Sequence, residues 1–274
     1  MAISNDLAFA SIRTLGEKLR AGEFSSRELA EFFLGRLETL GPKYNAVVTI
    51  TRAHALEAAD RADRELAAGG DRGPLHGIPY GVKDLLATKG IRTTWGAAPF
   101  RDQVIDADAT VIARLRDAGA VLAAKLAMVE LAGGMGYVQA NASFTGPGIN
   151  PWNRSRWSGG SSSGPGSAVS AGLVPFAMAS ETWGSIMVPS SFCGVCGLRP
   201  TYGRVSRFGA MALSWTMDKL GPMCRTADDC GLVLNAIAGA DDLDAASATA
   251  DYDYAAPEPV KRPFRRATLS GGVG

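Results

Sequence analysis

The sequence predicts an α/β chain whose strands are buried on both faces. Three apolar runs, at 78–82, 120–124 and 174–179, lack the period-2 alternation of a half-exposed strand, as strands inside a doubly covered sheet do. Before and between them, apolar residues recur at helical spacing behind capping residues. Composition agrees: of 274 residues, 46% are hydrophobic and 20% charged, which excludes an intrinsically disordered chain.

Residues 1–70 read as an N-terminal helical layer that covers the sheet. Ser25-Ser26-Arg27-Glu28 is a capping-box pattern, in which the serine oxygen takes an orphan N–H and the Glu reaches back. Leu29, Phe32, Phe33, Leu37 and Leu40 then recur along one helical face, and Gly41-Pro42 predicts the stop. A short strand is expected at 46–50 and a second helix at 54–68, ended by Gly69-Gly70. Residues 71–240 form the core. Asp108 is expected to cap a helix through Ala118, with Gly119 closing it. The Gly-, Ser-, Asn- and Pro-rich stretch 133–166 is too long for a plain connector and points to function. A short helix follows at 167–171, and Thr226 caps a last helix to Ala238. Residues 241–274 read as an acidic, Ala- and Pro-containing linker and then the start of an incomplete C-terminal part.

Lys plus Arg number 28 and Asp plus Glu 27, so a net charge of +1 leaves no basic field for nucleic acid or an anionic membrane. No signal-peptide pattern opens the chain, and no stretch reaches the roughly 20 apolar residues of a membrane span. Cys193, Cys196, Cys224 and Cys230 are too few for a disulfide scaffold in a chain this long. A cytoplasmic protein without a membrane or nucleic-acid partner is expected. The spacing of the second cysteine pair is loose for structural zinc, and neither a metal nor another cofactor is expected.

The densest chemical signal is Ser158-Gly159-Gly160-Ser161-Ser162-Ser163-Gly164. A phosphate cradle would carry GxxxxGK[ST], which is absent. The 160–164 segment has nucleophile-elbow spacing, but that order needs a later histidine, and His54 and His76 both precede it. A flexible linker is the third alternative, opposed by the adjoining Trp157 and the apolar run that follows. A serine nucleophile would therefore need another base. Lys83 stands apart among the lysines because it closes the apolar run from Gly77 to Val82. Neutrality near pH 7 asks for a downward shift of about 3 units from a free value near ~10.4, which burial can supply. The alternative is an ordinary lysine held by Asp84. Ser185 lies in a second cluster, Ser180-Glu181-Thr182-Trp183-Gly184-Ser185, after the 174–179 strand. A strand-to-helix turn there would offer backbone N–H groups to a developing oxyanion; the alternative is a plain N-cap serine. His76 could also pair with Asp84 as a base, against a purely structural role. Trp152, Trp157, Trp183 and Trp215 either line an apolar substrate site or pack in the core.

Together, Gly81-Val82-Lys83-Asp84, Gly159-Gly160-Ser161-Ser162, Gly184-Ser185-Ile186 and the run from Cys193 to Ser206 resemble the amidase signature family. The 24 positions from Ser161 to Ser185 match the family's spacing between two catalytic serines, and the similarity runs from about residue 5 to 240. The resemblance implies a mixed central sheet with helices on both faces and a Lys–cisSer–Ser triad. Lys83 would be the base, Ser161 the proton shuttle in a cis peptide after Gly160, and Ser185 the nucleophile. Backbone N–H groups of Thr182, Trp183, Gly184 and Ser185 would form the oxyanion hole. The implied activity is hydrolysis of a small-molecule amide. The alternatives are the glutaminase-type component of a tRNA-dependent amidotransferase, a ligase, and a truncated non-catalytic chain. Family members usually continue well beyond this length, so the resemblance also implies a missing C-terminal part; a second copy or that missing half is the expected partner.

The chain departs from the usual Asp-Thr-Gly-Gly-Ser-Ile-Arg motif. Glu181 and Met187 stand at the Asp and Arg positions, so no charge pair is expected near Ser185. Trp183 replaces a glycine, where a positive φ would be strained and where the ring is expected to narrow the acyl pocket.

Overall fold

A computed structural model of the chain describes residues 3–134, 139–250 and 252–255. The expected start of a C-terminal element, 264–274, lies outside the described residues, as do four positions of the 133–166 stretch. Strands β1 (Val47–Ile50), β2 (Pro79–Lys83), β3 (Val121–Leu126), β4 (Phe176–Glu181), β5 (Cys196–Gly197) and β6 (Lys219–Cys224) make one sheet in the order β1-β3-β2-β4-β6-β5. Central β2 runs parallel to β3 and β4, while β1–β3, β4–β6 and β5–β6 are antiparallel. The sheet is therefore mixed, as the resemblance implies.

Helices cover both faces. On one, Ile12 and Leu15 of α1 (Ile12–Arg20), Val111 and Leu115 of α4 (Thr110–Asp117) and Ile237 of α7 (Ala227–Ile237) pack with Tyr80, Val82, Phe176 and Met178 of the sheet. On the other, Leu34 and Leu37 of α2 (Ser26–Tyr44), Ala55 and Ala59 of α3 (Arg52–Ala67) and Val169 of α5 (Ser163–Ser170) pack with Val121, Ala123 and Ala177. A short α6 (Met187–Cys193) follows β4. Each large apolar side chain so buried contributes roughly 1.5–3 kcal/mol. The all-apolar strand runs follow from this double cover: neither face of β2, β3 or β4 meets water.

Several local expectations change. The capping box at Ser25 and Glu28 forms, but α2 runs through Pro42 to Tyr44 and closes at Asn45, which takes the left-handed region (φ 48°). Pro42 sits in the last turn, so the one helical N–H it removes comes too late to stop the helix. Asp108 does not cap α4; the N-cap is Ala109, and Asp108 accepts from the Lys89 N–H (2.8 Å) and pairs with Arg116. Helix α5 begins at Ser163, ahead of the expected 167, because Pro165 falls in its first turn, where no N–H is needed. Strand β6 escapes sequence reading because Gly221-Pro222 argues against an inner strand. Pro222 lies opposite Met178 and its carbonyl takes the Leu198 N–H (3.0 Å), so only its missing donor is lost.

Candidate active site

The parallel strands β2 and β4 end side by side, the place where open α/β sheets present their functional groups. Lys83 is the last residue of β2 and is fully buried. Its Nζ lies 2.7 Å from Ser161 Oγ, 2.9 Å from Ser180 Oγ and 3.4 Å from the Ser180 carbonyl. Burial pulls its pKa from 10.5 down to about 7, against the upward pull of the nearby Asp218 and Glu181 charges. An amine held neutral in this way can accept a proton at neutral pH.

Ser161 is brought to the lysine by a close-packed loop. It follows Gly160 through a cis peptide bond, and its carbonyl accepts the Val129 N–H (3.0 Å). A Cβ on Gly160 would lie 2.6 Å from Val129 Cγ2 and 2.8 Å from Trp157, so only glycine fits. Next to it, the Ser162 N–H donates to the Ser185 carbonyl (3.2 Å), and Ser162 Oγ donates to the Ser180 carbonyl (3.1 Å). These two bonds draw the glycine–serine loop, the end of β4 and the Ser185 turn into one buried cluster.

Ser185 sits in the turn between β4 and α6 and is buried. It is not the N-cap of α6; that position belongs to Ile186, without a side-chain cap. The turn is organised by Glu181, whose Oε2 accepts the N–H groups of Ile186 (2.8 Å) and Met187 (2.9 Å). Its other oxygen lies 3.3 Å from Arg199 Nη1. Burial raises the Glu181 pKa, but the Met187, Ile186 and Gly184 N–H groups and Arg199 outweigh it, so the carboxylate is held below its usual range. The expected lack of a charge pair near Ser185 is thus overturned. The cation comes from Arg199, and the longer glutamate side chain reaches back to the turn. Strain at Trp183 does not arise either: Gly184 takes the positive φ (97°), and Trp183 stays outside that region. Trp183 is 85% exposed.

Asp84 and His76 each have partners of their own. Asp84, next along from Lys83, points away from it. Its Oδ1 lies 3.5 Å from Lys125 Nζ, and its Oδ2 accepts the N–H (2.9 Å) and hydroxyl of Thr94. His76 is engaged elsewhere: its Nε2 lies 3.1 Å from Glu65, and its Nδ1 accepts the Arg72 N–H (3.1 Å). Burial lowers its pKa, and it reads as a structural histidine. Cys193 Sγ donates to the Ser158 carbonyl (3.4 Å), whereas Cys196 and Cys224 face each other across β5 and β6. Among the described residues, no group of three or more His, Cys, Asp or Glu is placed to hold a metal, and no helix is long and apolar enough to cross a membrane.

The buried Asp84–Lys125 pair gives a separable stability prediction. Burial raises the Asp84 pKa and lowers that of Lys125 to about 8, each opposed by the partner's charge. Asp84→Ala leaves Lys125 without its counter-charge in the interior and should cost about 3–5 kcal/mol in denaturant unfolding. Asp84→Asn, which keeps an acceptor for Thr94, should cost less.

Residue type and spacing assign no role to Ser180 or Asp218. Ser180 is visible as a serine five positions before Ser185, but only the β2–β4 pairing shows that it touches Lys83. Asp218 precedes the unrecognised β6; it accepts the Thr182 hydroxyl and the Leu213 (2.8 Å) and Ser214 (3.1 Å) N–H groups.

Known proteins resemble the chain in sequence and in fold. A family model described as Amidase matches residues 28–267. Similar curated relatives are named as the A component of glutamyl-tRNA(Gln) amidotransferase. The one from Carboxydothermus hydrogenoformans is 42% identical over 250 residues, 91% of this chain and 51% of the relative. The one from Chromohalobacter salexigens is 46% identical over 247 residues, 90% of this chain and 50% of the relative. Among solved structures, native peptide amidase from Stenotrophomonas maltophilia superposes with a TM-score of 0.83 at 38% identity, over 90% of this chain and 52% of that one. The A component of glutamyl-tRNA(Gln) amidotransferase from Thermotoga maritima superposes with a TM-score of 0.77 at 30% identity, over 92% of this chain and 51% of that one. The chain spans about half the length of the curated relatives it matches. On the family match, on these identities and on the shared mixed sheet, the chain belongs to the amidase signature family.

Proposed function

We propose that the chain carries a serine amidohydrolase centre with Lys83 as base, Ser161 as proton shuttle and Ser185 as nucleophile. The observation that carries it is the fully buried Lys83 amine, with its pKa near neutrality, 2.7 Å from the Ser161 hydroxyl. In the forward step, neutral Lys83 accepts the Ser161 proton as Ser161 accepts that of Ser185. Ser185 Oγ bonds to the amide carbonyl carbon, and the developing oxyanion faces the backbone of the Thr182–Gly184–Ser185 turn, with Trp183 contributing its N–H. The C–N bond then breaks, and the departing nitrogen takes the proton back through Ser161. Water, deprotonated by the same relay, releases the acid and restores Ser185. Ser180, touching the same amine, holds Lys83 in place.

The amidotransferase relatives support a second reading, in which this centre releases ammonia from glutamine for a tRNA-dependent partner enzyme. A fluorophosphonate reporter followed by peptide mass mapping tests the first. Adduct on Ser185, lost in Ser185→Ala, is expected; adduct elsewhere in the wild type would reject the assignment. Glutamine hydrolysis stimulated by added amidotransferase partner proteins would favour the second.

A further inference from the structure

A cavity of about 300 Å³ opens beside the proposed centre, sharing Ser180 and Asp218 with its surroundings. That volume is at the low end of small-molecule sites. Ser180 Oγ is 2.9 Å from the Lys83 amine, and Asp218 accepts the hydroxyl of Thr182, three residues before Ser185. A group lodged in the cavity is therefore one side chain away from the base and from the nucleophile's turn.

The charged side chains in its wall already have hydrogen-bond partners within this chain. Arg207 donates from Nη2 (3.0 Å) and Nε (3.1 Å) to Asp244 and from Nη1 to the Trp215 carbonyl (2.5 Å), while its guanidinium lies over the Tyr202 ring at 4.6 Å. Both oxygens of Asp218 are occupied by Thr182, Leu213 and Ser214. Arg207 and Asp244 thus cancel each other, and Asp218, though still charged, spends both oxygens on donors of this chain rather than turning one to a substrate group. What the wall presents instead is apolar: Phe208, Met211, Ala212 and Leu220, with Trp215 (78% exposed) and Leu243 (64% exposed) at its rim. Two large apolar side chains standing in water at a cavity mouth are covered at a gain when an apolar group enters.

We infer that this cavity is a binding subsite for an uncharged apolar group, aryl or alkyl, of the amide substrate. The inference rests on the proposed amidohydrolase centre for its chemistry, but the cavity can be tested without turnover. The full chain is treated with methyl and octyl fluorophosphonates, and the rates of Ser185 labelling are compared. In parallel, tryptophan emission is titrated with 4-phenylbutanamide and with acetamide in Ser185→Ala. The octyl reagent should label at least tenfold faster, and 4-phenylbutanamide, but not acetamide, should shift the emission. Ala212→Phe, which fills the cavity, should reduce the octyl-to-methyl rate ratio about tenfold and abolish the emission shift. Ala212→Leu should do so in part, which separates filling from misfolding.

Labelling at equal rates together with an absent emission shift overturns the subsite while leaving the centre intact. No labelling by either reagent, with a 4-phenylbutanamide shift that Ala212→Phe removes, overturns the centre and upholds the subsite. Saturable binding of glutamine, and none of 4-phenylbutanamide, rejects the apolar assignment.

Discussion

Lys83→Ala should lower kcat/KM on an amide substrate by about ten-thousandfold and abolish fluorophosphonate labelling of Ser185, with little change in substrate KM. Members of such a relay act as a unit, so losing one forfeits most of what the set supplies. The same residue sets the pH profile. With its pKa near 7, Lys83 is protonated below neutrality and cannot accept the Ser161 proton. The rate should therefore rise with pH, with a midpoint near 7, and level off above it. The sign for stability runs the same way. The folded pKa lies below the unfolded one, so the unfolded chain binds more protons between about 7 and 10.5, and this group's contribution to stability falls as pH drops through that window. A profile that falls as pH rises through 7, or labelling that persists in Lys83→Ala, would exclude the lysine as base.

Glu181 should have the next largest effect, by a different route. Glu181→Ala removes the acceptor for the Ile186 and Met187 N–H groups and the partner of Arg199. The turn that carries Ser185 then loses its anchor, and kcat should fall by about a hundredfold, the scale of a disturbed oxyanion site. Glu181→Gln keeps one acceptor oxygen and so retains more activity. It also deletes a negative charge that raises the Lys83 pKa, so the midpoint of the pH–rate profile should move below that of the wild type. Asp218→Asn should move it in the same direction. A purely structural role for Glu181 would reduce activity in both variants without shifting that midpoint.

Local signals and long-range ones divide cleanly in this chain. The capping box at Ser25, the Thr226 cap and the uniformly apolar strands are legible in the sequence because each depends on neighbours within a few residues. So are the glycine–serine loop and the strand-to-helix serine turn, which local composition marks. Strand β6 is not, because Gly221-Pro222 reads as a turn until β4 and β5 flank it. Asp84 cannot be assigned either, since alternation along β2 turns it to Lys125, 41 positions away, rather than to its neighbour Lys83.

Residue type and spacing sufficed for the α/β class and for marking the segments around Lys83, Ser161 and Ser185, whereas the roles proposed for these three residues come from the family those segments resemble. The folded arrangement was needed to establish that Lys83 is desolvated, that Glu181 finds Arg199, and that an apolar cavity lies beside Ser180. Each depends on which distant segments the mixed sheet brings within a few ångströms, and desolvation and charge pairing are set by those neighbours rather than by the chain's own order.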